Sequence, residues 1–130
     1  MKLTTVLLWV LKILAAVIML QTLYFKFTGH EQSVKLFTML NMEPWGRIGT
    51  GVGELIASIL ILIPATTAIG ALIGLGLMSG AIFFHFTTLG IKFDGDYGLF
   101  IYGVIVWVCC LIIVIVKKEQ LLKFLPKRTS

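Results

Sequence analysis

Several side chains capable of chemistry stand inside apolar stretches of this sequence, where a polar group needs a reason to be present. They are Gln21, Tyr24, Lys26, Glu54 and His85. Placing a charged side chain at the centre of a lipid bilayer costs at least about 2.5 kcal/mol, so such a group normally faces the protein interior and a partner. The pattern therefore indicates either a buried ion pair or a polar binding site.

Glu54 is the most informative of these residues because its helical neighbours are all small. In a helix, the residues three and four positions away share a face with a given side chain. For Glu54 these neighbours are Thr50, Gly51, Ala57 and Ser58. Small residues let another helix approach closely. We therefore expect Glu54 to point into protein rather than into lipid.

The polar side chains are expected to meet at one level of the membrane. Side chains in a helix lean toward its N-terminus, and the helices that carry Lys26 and His85 run opposite to the helix that carries Glu54. Lys26 and His85 therefore lean back toward the level of Glu54. Gln21 and Tyr24 lie at a compatible depth on the first helix. The sequence thus predicts an intramembrane polar site made of these five residues.

Three interpretations of this site stay open. The first is a structural pair of Glu54 and Lys26 that fixes the register of two helices. The second is a binding pocket for a quinone, a lipid or another amphiphile. The third is a proton or ion pathway, for which four short helices leave little room. No catalytic residue and no metal ligand is assigned, because the sequence lacks side-chain arrangements typical of nucleophilic catalysis or metal binding.

Composition and hydropathy predict the elements that position these groups. Of 130 residues, 58% are hydrophobic and 13% are charged, and the mean hydropathy is +1.02. A small soluble domain cannot bury so much apolar surface, whereas a helix of about 20 apolar residues spans a bilayer. Four spans are predicted, at about 4–27, 45–63, 67–89 and 97–116. The predicted fold is all-α, a four-helix transmembrane bundle that forms a single domain over residues 1–130.

The connections between the spans differ in kind. The segment between the first two spans has the apolar spacing of a short amphipathic helix at the membrane interface. The next connection, residues 64–66, is short enough to make its two helices antiparallel neighbours. The basic tail, residues 117–130, favours a cytoplasmic location for both termini. We therefore expect a multi-pass protein of the bacterial cytoplasmic membrane, with its tail inside.

Charge and cysteine usage exclude other classes of protein. The net charge of +5 does not indicate nucleic-acid binding, because much of the excess lies in the tail, where it suits an anionic membrane surface. Cys109 and Cys110 are adjacent within an apolar run, so buried thiols are expected rather than a disulfide or a metal pair.

Lys12 lies inside the first predicted span, and its side chain is expected to snorkel to the membrane interface.

Glycines are frequent inside the predicted spans, and their spacing is typical of close helix contacts. Small residues four positions apart let helix backbones approach in lipid. The positions predicted to mediate helix packing are Gly49, Gly53, Gly70, Gly74, Gly76 and Gly80. Packing within one bundle and packing between two copies of the chain are both open.

Three segments resemble the DoxX family of small four-helix membrane proteins. They are residues 24–29 (YFKFTG), residues 46–51 (GRIGTG) followed by Glu54, and residues 81–85 (AIFFH). The likeness extends from about residue 5 to residue 116. It implies a four-helix membrane bundle. Some relatives are subunits of quinone-linked sulfur oxidoreductases or act in membrane complexes for redox defence, and a distant animal relative looks like an assembly chaperone for receptors.

The leading hypothesis is an accessory, non-catalytic membrane protein whose polar pocket accepts a quinone-like or lipid-like molecule or a partner helix. One alternative is the membrane subunit of a quinone-linked oxidoreductase. Another is an assembly chaperone or interaction module for membrane proteins. No bound cofactor is predicted, and a quinone stays open as a ligand. Expected partners are the lipid bilayer and either a second copy of the chain or another membrane protein, with no nucleic acid.

Overall fold

The computed structural model describes residues 2–29, 31–43, 45–89 and 98–122, and these residues are almost entirely helical. A turn of 3-10 helix, Pro64–Thr66, joins the helices Trp45–Leu62 and Thr67–Phe84, and a π-helical turn, His85–Leu89, follows the second of these helices. The described ranges contain no strand, so the all-α prediction is confirmed. The helices are α1 Leu3–Phe27, α2 Glu31–Met39, α3 Trp45–Leu62, α4 Thr67–Phe84, α5 Gly98–Val116 and α6 Lys118–Leu122.

Within the described ranges, three helices are long and apolar enough to cross a membrane. They cover Leu3–Phe27, Trp45–Leu62 and Pro64–Thr87, and they correspond to the first three predicted spans. The fourth predicted span contains α5, whose apolar stretch Phe100–Val116 is shorter than these three. Large apolar side chains are exposed along α1, α3, α4 and α5, as expected for surfaces whose solvent is lipid.

The four long helices pack in a square. α1 lies against α3 and α5, and α4 lies against the same two helices from the other side. The short turn after α3 makes α3 and α4 antiparallel. A hydrogen bond from Trp107 Nε1 to Ser79 Oγ, 2.9 Å long, joins α5 to α4. The core between the helices contains Met19, Ile61 and Ile113, all fully buried.

The end of the bundle that holds Pro64–Thr66 and α6, called the hairpin end below, is closed by direct contacts. The amide of Ala68 donates to Gln120 Oε1 at 2.7 Å, and Gln120 Nε2 donates to the carbonyl of Pro64 at 2.8 Å. Gly70 has no room for a side chain, because a Cβ there would lie 2.5 Å from the backbone nitrogen of Ile61. The backbones of α3 and α4 therefore touch at this end.

Lys12 and the two cysteines are buried in the bundle. Lys12 is only 4% exposed, and its Nζ lies 4.2 Å from the ring centroid of Trp9. The ammonium of Lys12 reaches back one turn toward the N-terminus of α1, where the Trp9 ring gives it a partner, and the snorkelling expected of Lys12 stays a prediction. Cys109 and Cys110 are free and buried, which confirms their prediction as thiols.

The opposite end, called the α2 end, is built from α2, the end of α1 and the start of α3. α1 ends at Phe27, and Gly29, two residues later, has a positive φ of 70° that suits a glycine just past a helix C-terminus. α2 is amphipathic: Phe37 is buried, whereas Lys35 and Thr38 are exposed. Asn41, with φ 60°, turns the chain after α2, a conformation that Asn tolerates better than most residues. The short helix predicted between the first two spans is thus present.

Candidate functional site

Glu54 and Lys26 form an ion pair inside the bundle. Lys26 Nζ lies 2.6 Å from Glu54 Oε1, and the side chain of Glu54 is 1% exposed against 16% for Lys26. Removing two charges from water is expensive, and their attraction offsets that cost only when other polar contacts help. The environment of the carboxylate therefore decides what the pair can do.

The second oxygen of the Glu54 carboxylate accepts a hydrogen bond from Thr22. Thr22 Oγ1 lies 2.6 Å from Glu54 Oε2 and 2.9 Å from the carbonyl oxygen of Met19. Both neighbours are acceptors, so the single hydroxyl hydrogen of Thr22 is shared between them. Thr22 was not among the residues predicted from sequence. The available signal was its spacing, because a residue four positions before Lys26 lies on the same face of α1.

Local sequence on α3 explains why Glu54 can be buried there. Ser58 Oγ donates to the backbone carbonyl of Glu54 at 2.8 Å, so the hydroxyl is satisfied within its own helix. Gly51 leaves space for the ring of Phe27, since a Cβ at Gly51 would lie 2.7 Å from that ring. The small face predicted around Glu54 thus receives α1, as expected.

An arginine fixes the level at which Lys26 meets Glu54. Arg47 Nη1 donates to the backbone carbonyl of Lys26, and Arg47 Nε pairs with the Glu43 carboxylate at 2.9 Å. The last carbonyls of a helix lack partners within it, so a basic side chain is well suited to bind them. Arg47 therefore connects the end of α1 to the start of α3, next to the ion pair.

A cavity of about 390 Å³ adjoins the ion pair at the α2 end. All four long helices and α2 contribute to its wall, which is mostly apolar. Its size lies within the range of small-molecule sites, roughly 300–1,000 Å³, and such sites combine apolar walls with a few polar groups. The polar side chains in the wall are Thr22, Lys26, Ser33, Thr50, Glu54, His85 and Tyr102.

His85 lies in the wall of the same cavity as Glu54. The imidazole is 4% exposed and meets the ring of Phe100 edge-on, with 5.6 Å between the ring centroids. His85 is also the first residue of the π-helical turn. Single π-helical turns occur often at functional sites, so this geometry sets His85 apart from an ordinary core histidine.

The structure brings three of the five predicted site residues together and leaves two outside. Glu54, Lys26 and His85 share the cavity wall. Gln21 and Tyr24 are exposed, Tyr24 by 62%. At 100° per residue, both positions point away from the face of α1 that carries Lys26. All five residues lie at a compatible depth in the membrane, but the angular positions of Gln21 and Tyr24 on α1 turn these two side chains away from the cavity.

The six glycines predicted to mediate packing fall into two groups. A Cβ added at Gly70 or Gly74 would lie within 3 Å of another helix, in the case of Gly74 beside Cys110, and a Cβ at Gly53 would lie 3.3 Å from the side chain of Leu77. A Cβ at the other three would meet no atom of the described residues within 4 Å. These three are Gly49, Gly76 and Gly80. Gly76 and Gly80 line the cavity instead.

Fold and site together define the class of this protein. It is an all-α protein with helices suited to crossing a membrane, and a largely apolar cavity beside a buried ion pair. Among the residues whose placement is described, no group of His, Cys, Asp and Glu could hold a metal ion.

The chain belongs to the DoxX-like family, whose sequence pattern matches residues 10–116. The matched region runs from α1 to the end of α5 and includes every residue of the cavity wall. The family predicted from the motifs is therefore confirmed. No curated protein and no solved structure matches the chain.

Proposed function

We propose that this DoxX-like protein binds a small amphiphilic molecule, quinone-like or lipid-like, in the cavity beside Glu54, and that its role is accessory rather than catalytic. The observation that carries this proposal is a cavity of about 390 Å³ with the Glu54–Lys26 pair in its wall. A purely structural ion pair needs close packing around it, not open space.

The polar groups around the cavity suit a ligand that both donates and accepts hydrogen bonds. Glu54 Oε1 is paired with Lys26 Nζ at 2.6 Å, and no other described residue donates to it. A carboxylate oxygen has two lone pairs, so a ligand hydroxyl could donate to the second. The ammonium of Lys26 has three hydrogens and no acceptor capacity, so it can donate to a ligand carbonyl or hydroxyl oxygen.

A four-span topology with both termini in the cytoplasm completes the proposal. α5 has 19 residues, which at 1.5 Å per residue gives about 28 Å, close to the thickness of the hydrocarbon core. Its packing against α1 and α4 places it alongside helices that are long enough to span. Lys117 and Lys118 follow α5 directly, and basic residues favour the cytoplasmic side.

The test is native mass spectrometry of the protein extracted from its membrane, comparing wild type with the double variant Lys26→Met, Glu54→Gln. The double variant removes both charges together and so avoids an uncompensated buried charge. We expect wild type to retain one small molecule per chain, and the folded double variant to lose it. A wild-type protein without a bound molecule, or equal retention by both proteins, would overturn the proposal. Absorbance and mass of the released molecule distinguish a quinone from a lipid.

A further inference from the structure

The cavity extends to the outer surface of α4. Gly76 and Gly80 line the cavity, and a Cβ at either would meet no atom within 4 Å. Gly76 is exposed and lies about 200° around the helix from Met78, a buried core residue. The cavity is therefore not confined to the centre of the bundle, because one of its walls faces lipid.

The backbones of α3 and α4 approach most closely at the hairpin end. At the hairpin end Gly70 touches the backbone of Ile61. Further along, Leu77 fills the space in front of Gly53, at 3.3 Å from a Cβ position there. A Cβ at Gly80, about 15 Å along α4 from Gly70 at 1.5 Å per residue, would meet no atom of the described residues within 4 Å. The cavity thus reaches the lipid-facing side of α4, and Thr50 and Glu54 of α3 are also in its wall.

Access from the aqueous side is obstructed by α2. Leu36, Phe37 and Leu40 lie in the cavity wall, and Phe37 is 6% exposed. A water-soluble ligand that entered past α2 would have to displace it and expose these side chains. On the lipid-facing side of α4, two glycines without side chains, Gly76 and Gly80, line the cavity.

We propose that the cavity is entered sideways from the bilayer, between α3 and α4, by a single-tailed amphiphile with a small head of zero net charge. The head lies beside Glu54 and Lys26, and the tail crosses Gly76 and Gly80 into the lipid. This inference rests on the proposed function and adds the route and the class of ligand.

Charge and size select this ligand. Glu54 and Lys26 carry opposite charges and neutralise each other, so a net charge on the head would remain uncompensated in a medium of low dielectric constant. A cavity of about 390 Å³ is near the lower limit for ligand sites. It holds a head but not a long tail as well, and the tail must lie outside.

A second copy of the chain is the other molecule that could cover Gly76 and Gly80, since glycines four positions apart also mediate helix dimers. The amphiphile is favoured because both glycines line the cavity. A dimer contact needs only a flat surface and leaves the opening behind it unexplained.

The probe is a long-chain fatty alcohol with a photoreactive diazirine in its tail, added to vesicles that contain the protein. The test variants are Gly76→Leu and Gly80→Leu, because a Cβ at either position would meet no atom of the described residues within 4 Å. Gly49→Leu is the matched control, because Gly49 is equally open and lies outside the cavity wall. Circular dichroism and thermal unfolding check that all variants fold.

We expect labelling of wild type on peptides that contain residues 76–80, and labelling of both test variants about tenfold slower, whereas affinity changes less because the head contacts remain. Gly49→Leu is expected to label like wild type. If wild type labels in the cavity but both test variants label at the same rate, the lateral route is wrong and the binding function stands. If the variants convert a dimer to a monomer with unchanged labelling, the glycines form a dimer contact. If wild type does not label at all, both proposals fail.

Discussion

The two ends of the α3–α4 pair are built differently from the same kind of sequence. At the hairpin end, Gly70 brings the backbones of the two helices together, and Gln120 of α6 binds both sides of the connecting turn. Toward the α2 end, a Cβ at Gly76 or Gly80 would meet no atom of the described residues within 4 Å, and both glycines line a cavity of about 390 Å³. One end stabilises the bundle and the other keeps space open within it.

This difference shows that glycine spacing alone does not define a helix contact. The pairs Gly70–Gly74 and Gly76–Gly80 have identical spacing, but they lie on different sides of α4. The first pair faces other helices, and the second faces the cavity and the lipid. In this protein the absence of side chains serves close packing in one place and access in another.

The largest expected effect comes from breaking the ion pair at the α2 end. Glu54→Gln leaves the ammonium of Lys26 without its counter-charge, and losing one partner of a buried pair destabilises by about 3 kcal/mol. The free energy of unfolding, measured in detergent micelles, gives the value. Adding Lys26→Met should restore most of the loss. Equal stability of wild type and Glu54→Gln would mean that the pair contributes nothing to the fold.

A smaller loss is expected at the hairpin end from Gly70→Ala. The added methyl group would lie 2.5 Å from the nitrogen of Ile61 and 2.8 Å from the carbonyl oxygen of Ala57, so α3 and α4 must separate, at about 2 kcal/mol. Gly76→Ala is the matched control and should be neutral or stabilising by up to about 1 kcal/mol. Thermal unfolding of both variants measures the contrast between the two ends. If Gly70→Ala and Gly76→Ala changed the unfolding temperature equally, the two ends of the α3–α4 pair would not differ in how tightly they pack.

The smallest effect is expected from Thr22→Val, which keeps the shape of the side chain and removes its hydroxyl. The hydrogen bond to Glu54 Oε2 ends on a charged acceptor, so its loss should destabilise by about 1.5 kcal/mol. Thr38→Val serves as control, because the Thr38 hydroxyl is exposed and bonds only to its own helix. If both variants lost the same free energy of unfolding, the Thr22 hydroxyl would stabilise only its own helix and not the Glu54 carboxylate.

Much of the site follows from helix direction, depth and charge. The opposite directions of α1 and α3 bring Lys26 to the level of Glu54, and small neighbours identify the face that α1 covers. Thr22 could have been found by adding the i, i+4 relation with Lys26. Gln21 and Tyr24 were chosen by depth, and their angular position on α1 excludes them from the wall.

Other features depend on tertiary contacts that a single sequence does not contain. Which glycines touch a neighbour is decided by which sides of α4 the other helices cover. The burial of Lys12 depends on the ring of Trp9 and on the packing around both. The amphipathic pattern predicts α2 as an interfacial helix, but its position over a cavity follows from the packing of Phe37 against α3.

The central claim is that the cavity at the α2 end holds an amphiphile whose tail extends into the lipid between α3 and α4. A cryo-electron microscopy structure in a lipid nanodisc, enlarged by a bound antibody fragment, tests it most directly. We predict elongated density with one end within hydrogen-bond distance of Glu54 or Lys26 and the other end over Gly76 and Gly80. A collapsed cavity, with the Glu54–Lys26 pair enclosed by side chains and no density beside it, would contradict the account.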